Sequence, residues 1–156
     1  MATRPPKCTI LIVEDDAMIA MLLAEMLEAM GHSVCAIEAT EAGAVAAALA
    51  HGPGLMIVDA HLQQGSGVAA IATIRATQAI PCILVSGDIA EIRGNSPHAV
   101  ILAKPYSEAG LAAAISRAAA IQGNPNAADA LSAASRRRHA CVPPPQAKGL
   151  PSCATS

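Results

Sequence analysis

Five short aliphatic runs alternate with five stretches of helical periodicity between residues 8 and 121. The first run, over 9–13, ends in Glu14, Asp15 and Asp16. The second, over 33–37, is more polar and suits an edge position. The third, over 55–59, is four apolar residues running into one carboxylate, Asp59. It is bounded by Gly52-Pro53-Gly54 and by the turn residues Gly65-Ser66-Gly67. The fourth, over 82–85, is followed by Ser86-Gly87-Asp88, and the fifth, over 99–103, by Lys104-Pro105. Apolar runs this short, closed by turn residues, predict strands buried on both faces.

Between them, apolar residues recur at spacings of three and four. Ile19, Leu22, Leu23, Met26, Leu27 and Met30 mark one face of a first helix, with Asp16 as its N-cap and Gly31 just past its end. Met18, Met21, Met26 and Met30 read as core or as a partner-facing patch, not as a cofactor box. Further helices are predicted over 41–50, 67–77, 90–93 (short and weak, broken by Gly94-Asn95-Ser96-Pro97) and from Ser107 to about 121. Strand–helix alternation predicts an α/β fold with a parallel sheet, helices on both faces and right-handed crossovers. For five strands this is the flavodoxin-like doubly wound arrangement in the order 2-1-3-4-5.

Composition narrows the picture. Hydrophobic residues make up 53% of the 156, yet Phe and Trp are absent and Tyr106 is the one aromatic, so the core is aliphatic. Neither a bilayer span nor a signal-peptide core is expected, because the apolar runs are too short. Eleven of the 12 acids but only six of the 10 bases precede residue 123. An acidic body argues against nucleic-acid binding by the main domain. Five scattered cysteines without a Cys-x-x-Cys pair read as thiols in a reducing, cytoplasmic setting. Beyond residue 122 the periodicity fades into Asn124-Pro125-Asn126, Arg136-Arg137-Arg138-His139 and Pro143-Pro144-Pro145. The expected layout is an extension over 1–7, one domain over 8–122 and a largely disordered tail over 123–156, with a weak helix at 127–135.

The predicted order brings the ends of the first, third, fourth and fifth strands together. Glu14, Asp15, Asp59, Ser86 and Lys104 would then share the carboxyl edge of the sheet, where open α/β folds bind ligands. Three acids in one place call for a cation, and a hard divalent ion with oxygen ligands, Mg²⁺, suits them. Lysine and hydroxyl suit an anion rich in oxygens. A phosphoryl group held among them, with Asp59 as nucleophile, uses every part, because phosphoryl transfer needs mainly positioning and charge neutralisation.

Ile10-Leu11-Ile12-Val13-Glu14-Asp15-Asp16, the run ending at Asp59, Val85-Ser86-Gly87 and Lys104-Pro105-Tyr106 together resemble the receiver domain of two-component response regulators. The resemblance covers residues 8 to about 121. It implies that Asp59 accepts a phosphoryl group from a histidine on a sensor kinase or phosphotransfer protein. Asp15, Asp59 and the backbone carbonyl of His61 would hold Mg²⁺, with Glu14 acting through water. Ser86 would bond the phosphoryl group and move with it, Lys104 would pair with a phosphoryl oxygen, and the Lys104–Pro105 bond would be cis. Chemistry of this kind is confined to the protein's own aspartate, so the chain is not expected to be an enzyme in the ordinary sense.

The chain departs from the family at several positions. Leu62-Gln63 stand where a Met-Pro pair is usual, which implies a more mobile loop. Ile101 replaces a common switching Tyr or Phe. His61 and Asp88, two residues after Asp59 and Ser86, sit where members tune dephosphorylation. No helix-turn-helix follows residue 121, so a stand-alone receiver acting on an unknown protein target is expected, with homodimerisation left open. An aspartate-nucleophile phosphatase is the alternative, but it needs a second Asp where His61 stands. A degenerate receiver that only binds partners is another. A nucleotide- or flavin-binding domain lacks its Gly-x-Gly-x-x-Gly loop.

Overall fold

β1 (Thr9–Val13), β2 (Ser33–Glu38), β3 (Leu55–Asp59), β4 (Cys82–Ser86) and β5 (Val100–Ala103) form one parallel sheet in the order β2-β1-β3-β4-β5. These elements come from a computed structural model that describes residues 7–94 and 99–122. The strands are joined by α1 (Ala17–Ala29), α2 (Glu41–His51), α3 (Gly67–Arg75) and α4 (Ile89–Arg93), and α5 (Glu108–Gln122) follows β5. The expected fold class, strand order and all ten elements are therefore present. The expectations for the tail, including a helix at 127–135, lie outside the described residues, as does most of the extension over 1–7.

Side chains alternate across a strand, so each strand feeds two cores. Ile10 and Ile12 of β1, Leu55 and Ile57 of β3, and Ile83 and Val85 of β4 face α1 and α5, packing against Leu23, Leu27, Leu111 and Ile115. Leu11, Val13, Met56, Val58 and Leu84 face the other way, onto Ala44 and Ala48 of α2, Ile71 and Ile74 of α3, and Ile92 of α4. Central β3 and β4 are buried along their whole length, whereas β2, the edge strand, is only half-buried. The α1 methionines divide: Met26 and Met30 pack on the core, while Met18 and Met21 are exposed.

Helix starts are fixed by short polar side chains that accept otherwise unpaired N–H groups. Asp16 accepts from Met18 and Ile19, Thr40 from Gly43, Ser66 from Ala69, Asp88 from Ala90 and Glu91, and Ser107 from Gly110. Boundaries moved slightly from expectation. α3 stops at Arg75, not Thr77, where the Ile74 carbonyl accepts the N–H groups of both Thr77 and Gln78 together with the Thr77 hydroxyl and the chain tightens into a turn. β4 runs one residue further, to Ser86, because the Ser86 carbonyl accepts from the Lys104 N–H at 2.8 Å.

One close approach sets the geometry beneath Asp59. A Cβ at Gly67 would run into the backbone carbonyl of Asp59 and the Val58 side chain, so only glycine lets α3 start directly against the end of β3. Gly67→Ala is expected to lower stability in urea unfolding by about 1–3 kcal/mol. Gly87→Ala, where a Cβ meets nothing within 4 Å, is expected to stay within about 0.5 kcal/mol. Equal effects of the two changes would contradict this reading of the β3–α3 junction.

Candidate functional site

Register brings the acids together. Val13 pairs with Val58, so Glu14 leaves β1 beside Asp59 at the end of β3. Glu14, Asp15 and Asp59 each offer a carboxylate oxygen within 4.8 Å of the others. Glu14 and Asp59 are buried, and Asp15 is half-exposed. Asp16 takes no part and caps α1, as expected.

Lys104 closes the cluster from β5. Its Nζ lies 2.5 Å from Asp59 Oδ2 and 3.8 Å from Glu14 Oε2. Burial works to lower the pKa of this ammonium, but the hydrogen bond to Asp59 and the charges of Asp59 and Glu14 outweigh it, and the net direction is up. The Lys104–Pro105 bond that follows is cis.

One amine cannot balance three acids. Glu14 is pushed up to about 7, first by burial and then by the neighbouring Asp59 charge, against the opposing pull of the Asp16 N–H and of Lys104. The cluster thus relieves its crowding partly by holding a proton near neutral pH. Donor chemistry of this kind, all carboxylate oxygen with surplus negative charge, fits a hard divalent cation.

Ser86 ends β4 beside the cluster and is buried. Its hydroxyl is engaged with the next turn: Oγ accepts the Asp88 N–H at 3.0 Å and donates to the Asp88 carbonyl at 3.2 Å. His61 turns its backbone toward Asp59, its N–H donating to Asp59 Oδ1 at 2.9 Å. Its imidazole is exposed and lies 3.9 Å from Glu91 of α4. These two flank a cleft of about 450 Å³ between α3 and α4, floored by Val68, Ala69, Ala72 and Ile92.

The five strand-end residues singled out from sequence therefore converge on one edge, with the His61 backbone beside them. Two further features were missed. Gln63 donates its N–H to Asp15 Oδ2 at 3.0 Å, and Ser66 donates its own to Glu41 Oε2 at 3.0 Å, so the loop after β3 is held by carboxylates despite lacking the usual proline. Asp88 both holds Ser86 and caps α4. Tyr106, half-buried, packs at the rim of the α1/α5 core, as expected.

The sequence profile described as the response regulator receiver domain matches residues 10–116. The chain belongs to that family. Two-component signalling is accordingly the setting of this receiver, and receiver domains interact with kinases or phosphotransfer proteins. It is 35% identical over 113 residues to the phyllosphere-induced regulator PhyR of Methylorubrum extorquens, a match covering 70% of this chain and 42% of that protein. It is 31% identical over 110 residues to the transcriptional regulatory protein PdtaR of Mycobacterium tuberculosis, covering 68% and 54%. The receiver spans about half the length of the curated relatives it matches. Among solved structures, the Erythrobacter litoralis PhyR response regulator REC domain superposes with a TM-score of 0.70 at 26% identity, covering 76% of this chain and 95% of that one. The anti-anti-sigma factor PhyR of Bartonella quintana gives 0.69 at 29%, covering 80% and 51%. No helix among the described residues is long and apolar enough to cross a membrane.

A consequence for stability follows from Glu14. A carboxyl group whose folded pKa, about 7, lies above its ordinary 4.5 favours the folded state while protonated. That contribution is complete below about 4.5 and is lost as pH rises through about 7. With a chelator present, the receiver is expected to lose stability across this window. Glu14→Gln should flatten that part of the profile and be the more stable protein at pH 8 or so. An unchanged slope in Glu14→Gln, measured by denaturant unfolding at stepped pH, would contradict the raised pKa.

Proposed function

We propose that this receiver takes a phosphoryl group on Asp59 from a phosphohistidine of a sensor kinase or phosphotransfer protein, in a reaction that requires Mg²⁺. The observation that carries the reading is the Lys104 ammonium seated against Asp59 within the trio of Glu14, Asp15 and Asp59. Acids suited to a cation and an anion-binding amine, gathered on one buried carboxylate, serve a single purpose well: bringing a second anion, phosphate, onto it. Asp15, Asp59 and the His61 carbonyl would ligate the metal, with Glu14 contributing through water. When bound, Mg²⁺ supplies the charge neutralisation and phosphoryl-oxygen polarisation that phosphoryl transfer needs.

The remaining roles belong to the chain. An Asp59 carboxylate oxygen attacks phosphorus, the P–N bond to the donor imidazole breaks, and the nitrogen keeps the electron pair. Lys104 exchanges its bond with Asp59 for one to a phosphoryl oxygen, so the ammonium stays paired throughout. The reaction ends on the receiver's own aspartate, and hydrolysis of that acyl phosphate resets it. No group-transfer product leaves other than phosphate.

Readout runs through Ser86. To bond the phosphoryl group its hydroxyl must leave Asp88, giving up two hydrogen bonds on the residue that caps α4. The five-residue α4 has little stability of its own, and loss of a cap costs on the order of 1 kcal/mol. Phosphorylation thereby biases the α4 surface, and output follows by protein contact.

Incubation with Mg²⁺ and acetyl phosphate or phosphoramidate is expected to add the mass of one phosphoryl group, absent in Asp59→Asn and in excess chelator. Lys104→Met should slow labelling roughly a hundredfold, the usual cost of removing one positioned charge from a developing anion. Failure of both donors and of any cognate kinase to label the wild type would sink the proposal. Steady turnover of many phosphoesters would point to a phosphatase.

A further inference from the structure

The loop from Ala60 to Ser66 carries the His61 carbonyl, and its backbone is pinned at both ends. At the site end, the Ala60 N–H donates to the Val85 carbonyl and the His61 N–H to Asp59 Oδ1, both at 2.9 Å. At its middle, Gln63 donates to Asp15 Oδ2. At the far end Ser66 is bridged back to His61, and the start of α2 grips the loop: Ser66 donates to Glu41 Oε2, the Glu41 N–H donates to the Gln64 carbonyl at 3.3 Å, and Thr40 and Gln64 form an isolated parallel bridge. Gly65, at φ 90°, packs so tightly on Glu41 that a Cβ there would strike the Glu41 side chain.

We infer that Glu41 is a positioning residue for the cation site: by clamping Gln64 to Ser66, it fixes the Gln63 N–H that orients the Asp15 carboxylate and the His61 backbone beside Asp59. The inference rests on the proposed Mg²⁺ site and adds to it a residue 25 positions from its loop partner, Ser66. The carboxylate suits this task. It lies in the first turn of α2 and accepts from the N-cap residue of α3, so two helix N-termini favour its charge. It restrains a loop that lacks the usual proline. Gln63, which occupies the position where proline is usual, keeps an N–H, and that N–H is the one Asp15 accepts. Proline could not make that bond.

Coupling of this kind is reciprocal, so a cation that benefits from the clamp must also tighten it. In the wild-type receiver, added Mg²⁺ is expected to slow amide hydrogen exchange at Gln63 and Ser66. Glu41→Ala should speed exchange at Ser66 and raise the Kd for Mg²⁺, followed by amide resonances, about tenfold, the worth of one charge-assisted hydrogen bond. Glu41→Gln keeps a carbonyl acceptor and should stay within about twofold of wild type. A Glu41→Ala protein that binds Mg²⁺ as well as wild type overturns the inference, as does an equal loss in Glu41→Gln. Should Glu41→Ala fail to fold, the wild type decides alone: no slowing at Ser66 on Mg²⁺ binding overturns the clamp. A wild type that binds no Mg²⁺ at all overturns the cation site itself, a separate result from a metal-binding wild type with an indifferent Glu41.

Discussion

Repulsion among carboxylates at one sheet edge is the constraint that the rest of this receiver answers. Parallel pairing of β1 with β3 leaves Glu14 no choice but to sit beside Asp59, and both are buried. Two unit charges within 4.8 Å repel by on the order of 3 kcal/mol at the effective dielectric typical of protein sites. A fold held by a margin of only about 5–15 kcal/mol must relieve such a conflict. The protein does so in two ways. Lys104 reaches in from β5 to contact Asp59, and Glu14 holds its proton up to about pH 7. Both devices are reversible, and a divalent cation would substitute for the proton, so the conflict would also drive the cation binding proposed for the site.

Much of this was legible in the sequence because the strands announce themselves. An aliphatic run closed by turn residues is hard to read any other way, and alternation with helical periodicity leaves few topologies for a five-stranded sheet. Once the order was fixed, Glu14, Asp15, Asp59, Ser86 and Lys104 had to meet, since each stands at a strand end. The β3–α3 loop was less legible for a physical reason. Its restraints are carboxylates of Asp15 and Glu41 accepting backbone N–H groups, and a backbone donor leaves no signature in the identity of its residue. Loss of the usual proline suggested a looser loop. The sequence held no sign that Glu41, far away in the chain, grips it. The end of α3 was missed for a similar reason, since its closing turn is made by the Thr77 and Gln78 N–H groups on the Ile74 carbonyl.

Chemistry and readout rest on different supports. The chemistry depends on groups fixed by the sheet, whose central strands are buried end to end. The readout depends on a five-residue helix and one turn, where Ser86 and Asp88 exchange two hydrogen bonds. Ile101, in place of the aromatic residue common in the family, is half-buried against the α2/α3/α4 core. With no aromatic side chain at position 101 to swing, the proposed readout falls to Asp88, which is bonded to Ser86 and caps α4. A stiff catalytic edge joined to a marginal helix lets a local change in charge alter a surface without unsettling the core.

Whether Asp59 is where phosphate resides is the central claim, and borohydride reduction tests it at that residue. The protein is treated with acetyl phosphate and Mg²⁺, reduced, digested and sequenced by mass spectrometry. An acyl phosphate on Asp59 is reduced to homoserine, so the account expects homoserine at position 59 and unchanged aspartate at positions 15 and 16. Unreduced Asp59 alongside homoserine at Asp15, or no homoserine anywhere in a protein that has gained the phosphoryl mass, would contradict it.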